Sequence, residues 1–121
     1  MFQLRILVSS IKKYWLATTL FILAFITVMS LYPLAELPPI PGTDKTHHLI
    51  AYGLLMMPVA VKNPKNMIAI ALFFAFWSGA IEILQPYVNR YAEFKDFLAN
   101  VAGLILGWVI VKVVKKIISK E

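Results

Sequence analysis

Arg90-Tyr-Ala-Glu-Phe-Lys-Asp96-Phe-Leu-Ala-Asn100-Val-Ala-Gly103-Leu-Ile-Leu-Gly107 is the stretch whose reading decides the fold. Read as a helix from about Phe94, it sets Asp96, Asn100, Gly103 and Gly107 three or four residues apart. A carboxylate, an amide and two positions without side chains then share one stripe. Phe, Leu, Val and Ile fill the flanks. Such a helix is apolar on most sides, with a polar, close-approach seam on one, and the rest of the chain must supply what that seam faces.

The whole chain shares this apolar character. Its 121 residues are 60% hydrophobic, against roughly 45–50% in soluble domains, and the mean hydropathy is +0.77. A single-domain integral membrane protein over residues 1–121 is expected. Five glycines and seven prolines are too few for a low-complexity chain, and no internal repeat recurs at a fixed period. Without cysteine there is no disulfide framework and no thiolate metal site, and the redox compartment is not encoded. The net charge of +6 does not point to nucleic acid. Most lysines sit at the ends of apolar runs, as membrane topology requires, and no face interleaves basic and aromatic residues.

Met1 to Lys13 carries Arg5, Lys12 and Lys13 and no acid. The apolar run behind it predicts a first span at about 14–32, longer than a signal-peptide core of about 7–15 residues. Pro33-Leu-Ala35 makes a poor cleavage site, so the span is read as an anchor, with Tyr14 and Trp15 at one interface and Tyr32 at the other. Four prolines and a glycine between Pro33 and Gly42 exclude a helix there. A second span at about 44–62 is capped by Thr43 or Asp44 and kinked at Pro58. It is short: if it crosses the hydrocarbon, Asp44, Lys45 and His48 cannot all lie far outside. Lys62-Asn-Pro-Lys-Asn66 is a basic turn. A third span at about 66–85 stops before Pro86, a polar-aromatic loop carries Arg90, and the fourth span runs over about 94–112 into a basic tail.

These readings predict an all-α membrane four-helix bundle. Arg5, Lys12, Lys13, Lys62, Lys65 and the tail lysines fall on one side, and Lys45, Arg90 and Lys95 on the other. The positive-inside rule places both termini in the cytoplasm and the other two loops outside. Asp44 and His48, then Gly79, Glu82 and Gln85, then Asp96 and Asn100 all come near the outer ends of their spans. At about 1.5 Å rise per residue they lie within a turn or two of one level, with Lys45 and Arg90 above. Ionisable groups at membrane depth cost about 2.5–3.5 kcal/mol each, so they should face one another or a wet cavity.

Asp44-Lys45-x-x-His48-x-x-x-Tyr52, then Gly79-x-x-Glu82-x-x-Gln85, Arg90, and Asp96-x-x-x-Asn100-x-x-Gly103-x-x-x-Gly107 together resemble the VanZ-like family of small bacterial membrane proteins. The resemblance runs in order over about residues 44 to 107. Leu49 departs from it where an aromatic is common, and His47 adds a second imidazole. What the resemblance implies is association, in some members, with reduced susceptibility to the glycopeptide teicoplanin. No biochemical mechanism comes with it.

Every residue also has a plainer role. Gly79, Gly103 and Gly107 suit close helix packing, and Asn100 suits an interhelical hydrogen bond. Asp44 fits a helix cap and Asp96 the positive end of a helix dipole. Trp77 and Trp108 suit lipid or packing. Glu82 stands late in its helix, where negative charge is disfavoured. It is the strongest functional candidate among the acids, with Arg90 or His48 as partner. Arg90 would clamp an anion with its planar fork.

Three function classes stay open. The first is a binding protein whose outer polar cluster takes an anionic or amphiphilic ligand, such as a membrane lipid, a lipid-linked cell-wall precursor or a lipoglycopeptide. The second is an acid/base or metal-dependent enzyme acting on a lipid head group, although no nucleophile motif, HExxH or phosphate loop is present. The third is a structural partner of another membrane protein. No cofactor and no metal is assigned.

Overall fold

The computed structural model describes residues 2–32, 44–88 and 94–120. Among them the only regular structure is helical. The elements are α1 (Phe2–Lys13), α2 (Trp15–Leu31), α3 (Asp44–Lys62), α4 (Met67–Leu84) with a 3-10 turn over Gln85–Val88, and α5 (Phe94–Ser119). The proline-rich loop and the loop bearing Arg90 lie outside the described residues.

The four expected spans correspond to α2 to α5, and α1 is additional. Its Val8 and Ile11 turn inward onto Ala60, Val61 and Val111, while Arg5, Lys12 and Lys13 stay exposed. This two-faced helix meets α2 at 79° around Tyr14. A helix with one apolar and one basic face is suited to lie across the ends of others.

By length and composition, Met67–Val88 and Phe94–Ser119 can each cross a membrane, and the bent α1–α2 pair makes a third candidate if counted as one span. α3 does not qualify, because Asp44, Lys45, His47, His48 and Lys62 fall within its 19 residues. The packing accounts for this. α3 touches each of α1, α2, α4 and α5, and Tyr52, Leu55, Met56, Val59, Ala60 and Val61 are buried. A helix buried along one face needs less lipid-like surface, although Ile50 and Leu54 of α3 are exposed. Most exposed apolar side chains are on the other helices, among them Phe21, Phe25, Ile68, Leu72, Phe76, Ile83 and Ile105.

The most extensive contact in the fold joins α3 to α5. Lys45 meets Asp96, His48 meets Asn100, Gly53 meets Gly103 and Gly107, and Ala60 meets Lys115. Position advances along both helices together, so they run parallel, and α4 is the return between them. A Cβ on Gly103 would strike the Leu49 carbonyl oxygen, and one on Gly107 the Gly53 carbonyl oxygen. Backbone therefore lies against backbone, as small residues allow between membrane helices. Gly79 differs: its Cβ would rest 3.5 Å from the Phe97 ring, an ordinary contact.

Helix ends are closed at the basic end of the bundle. Asn63 takes φ 55°, and its N–H donates to the Val59 carbonyl at 2.8 Å, an αL cap that stops α3. Lys115 Nζ donates to the Ala60 carbonyl at 2.9 Å and Arg5 Nη2 to that of Ile118 at 3.1 Å. Each cation thus serves a carbonyl in the last turn of a helix, where dipole and unmet acceptors favour it. α3 continues through Pro58 as one helix. α5 has 26 residues, about 39 Å at 1.5 Å per residue, so the segment expected as a basic tail prolongs the helix beyond a hydrocarbon core of about 30 Å. Between α2 and α4, Trp77 Nε1 donates to Thr27 Oγ1 at 2.9 Å, so Trp77 packs rather than facing only lipid.

Thermal unfolding in detergent should separate the glycines. Gly107→Ala is expected to destabilise by roughly 1–3 kcal/mol through overpacking, with Gly103→Ala close behind. Gly79→Ala should be neutral or should gain up to about 1 kcal/mol from helix propensity. Equal losses at all three would contradict the backbone contact.

Candidate functional site

The buried stripe of α5 is Asp96, Asn100, Gly103, Leu104, Gly107 and Val111. Its lower part is the surface that the glycines press onto α3. Its upper part is polar, and the parallel pairing sets it against Lys45 and His48, which are three residues apart on α3 and share a face.

Asp96 is at the centre, with its side chain only 7% exposed. Lys45 Nζ stands 3.6 Å from Oδ1 and His48 Nε2 stands 3.9 Å from Oδ2. His48 Nδ1 lies 2.9 Å from Asn100 Oδ1. An amide oxygen only accepts, so Nδ1–H donates there and Nε2 faces Asp96. Asp96 also occupies the first turn of α5. Because α3 begins at the same end, two positive helix termini converge near its charge, each contributing typically 0.3–1 kcal/mol.

Among the described residues, the buried Asp96 Oδ1 has no hydrogen-bond partner. The lysine at 3.6 Å attracts it but lies beyond hydrogen-bond reach. A buried acceptor left unmet costs about 1–3 kcal/mol, and more when charged.

Ion pairs and a hydrogen bond bring together Lys45 and His48 of α3 with Asp96 and Asn100 of α5. Glu82 is half-buried late in α4. Gln85 is engaged elsewhere: it is buried, and its Nε2 donates to the Ser30 carbonyl of α2 at 3.1 Å. That bond ties the end of α4 to α2. Arg90 and the Asp44 side chain lie outside the described residues. Gly79 serves as a seat for Phe97.

One participant was quoted in a sequence motif without a role, and a second was not singled out from the sequence. Tyr52 is fully buried one turn below His48, and Gly53 is the α3 partner of both α5 glycines. The His48-x-x-x-Tyr52 spacing was the available signal for the first. A single glycine among large apolar residues was the only signal for the second. Among the described residues no three of His, Asp and Glu gather into a metal-binding group. The arrangement can seat a hydrogen-bond donor or cation on Asp96 with an anionic group beside Lys45.

A family model described as VanZ/LLP1 matches residues 2–115. The match takes in α1 and α2 as well as the 44–107 region that carries the motifs. No curated protein and no solved structure matches the chain.

A double-mutant cycle between His48→Ala and Asn100→Ala, followed by unfolding in detergent, should give a coupling of about 0.6–1.7 kcal/mol, the range for interhelical hydrogen bonds in membranes. Zero coupling would show that Asn100 does not orient the imidazole.

Proposed function

The chain belongs to the VanZ/LLP1 family, and from that premise we propose that it is a multi-pass bacterial membrane protein that binds the head group of an amphiphile at the outer end of its bundle. Binding there contributes to tolerance of glycopeptides such as teicoplanin, or of envelope stress. The whole chain acts as one domain, α2, α3, α4 and α5 all cross, and both termini are cytoplasmic. The charge distribution supports this orientation: α1, the α3–α4 turn and the end of α5 meet at the end carrying Arg5, Lys12, Lys13, Lys62, Lys65 and the tail lysines.

The observation that supports the reading is Asp96 Oδ1, buried in the first turn of α5 and without a hydrogen-bond partner among the described residues. A purely anionic ligand would leave that oxygen unmet. A head group offering a hydroxyl or amine beside a phosphate or carboxylate meets both Asp96 and Lys45. Lipid-linked cell-wall precursors and lipoglycopeptides have this chemistry, joined to a tail that suits the apolar flanks of α4 and α5. Arg90, by its chain position, would strengthen the hold on the anion.

One observation favours a second reading. The Asn100 bond holds His48 with Nε2 toward Asp96, an imidazole–carboxylate pair suited to general acid/base work on a bound head group. A lipid chemically altered by wild-type protein, but not by His48→Gln, would promote catalysis above simple binding.

Asp96→Asn keeps the shape and removes the charge. A hydrogen bond to a charged group contributes about 1.5–3 kcal/mol, so head-group affinity should fall roughly 10- to 150-fold. Mass spectrometry of co-purifying amphiphiles and a glycopeptide susceptibility assay would both read this loss, with protein abundance unchanged. Full retention of ligand and protection would discard the binding site. Loss of protection in step with loss of abundance would make the cluster structural.

A further inference from the structure

At the opposite end of the bundle a groove opens between α4 and α5. Met56 of α3 and Leu104 of α5, both almost inaccessible, form its floor, Ile68 and Ala71 one wall, and Ile105 and Trp108 the other. It encloses about 260 Å³. Apart from the Trp108 indole N–H the lining is apolar, so water finds little to hydrogen-bond inside. Ile68 and Ile105 are 75% and 59% exposed, which opens the groove outward on the two helices long and apolar enough to cross a membrane. At that depth hydrocarbon is what meets it.

The chemistry changes at the groove's lower mouth. One turn beyond Trp108, Lys112 Nζ stands 4.6 Å from the indole ring centroid, which steadies a long side chain at the edge of the groove. Lys65 stands two residues before Met67, where α4 begins. An apolar slot thus ends at an indole, a side chain that favours head-group level, and then at cations.

We propose that this groove holds one acyl chain of an anionic phospholipid from the leaflet at the basic end, with its phosphate against Lys112 and Lys65. Charge complementarity selects the occupant. Any lipid tail fits an apolar slot in a bilayer, and none gains hydrophobically over another. The cations at the mouth discriminate between head groups. Lys112 lies twelve residues beyond Asn100 on α5, about 18 Å along the helix. The lipid site is therefore separate from the polar cluster and stands whether or not that cluster binds a ligand.

Native mass spectrometry of the full chain in detergent, titrated with dioleoyl-phosphatidylglycerol or dioleoyl-phosphatidylcholine, tests it. The anionic lipid should bind roughly five-fold more tightly per engaged cation. Lys112→Gln, an exposed change that leaves packing intact, should remove most of that preference. Ala71→Phe fills the groove and should weaken both lipids; if it misfolds, Lys112→Gln still decides. Glycerol 1-phosphate in excess should not displace the lipid, and displacement would show a head-group site that does not use the groove. Equal binding of the two lipids would overturn the proposal, as would a preference indifferent to Lys112→Gln. A dimer abolished by Ala71→Phe, without lipid preference, would instead assign the groove to a second copy of the chain.

Discussion

Backbone contact between α3 and α5 through Gly53, Gly103 and Gly107 is the constraint on which the other features depend. It fixes both the distance between the two helices and their register. With Gly107 against the Gly53 carbonyl, Asn100 falls opposite His48 and Asp96 opposite Lys45, while Lys115 reaches Ala60 at the far end. A slip of one residue would turn the polar stripe of α5 away from its partners. The hydrocarbon offers those groups none, at about 2.5–3.5 kcal/mol per charged side chain.

Parallel pairing adds an electrostatic consequence. Both N-termini lie at one end and both C-termini at the other, so the two helix dipoles reinforce each other. The sequence follows that polarity. Asp96 stands in the first turn of α5, whereas Lys115 and Arg5 donate to late carbonyls of α3 and α5. One end of the bundle therefore carries a buried acid among polar side chains and the other a cationic rim.

α3 packs against every other long helix and carries the lysine and imidazole that face Asp96; His48 is mostly covered, while Lys45 stays 44% exposed. The outer helices supply the apolar surface. Burial of a paired but incompletely bonded carboxylate contributes little to stability.

The sequence by itself determined the helical class, the near-complete set of helix boundaries and the stripe from Asp96 to Gly107, because apolar run length, prolines and three- or four-residue spacing are local properties. It also indicated that Lys45, His48, Glu82, Asp96 and Asn100 share one level, since rise per residue and strand-free topology constrain height along the bundle. Height is not azimuth, and the tertiary structure decided the rest. Only packing showed that Gly53 is the partner of Gly103 and Gly107, that Gln85 turns to Ser30 on α2, and that the basic opening segment folds into α1 across the helix ends. The physical reason is that a helix's own pattern fixes which residues share a face, whereas the neighbour met by that face, and whether a buried oxygen such as Asp96 Oδ1 finds a donor there, depends on the rotation and register of a second helix remote in sequence.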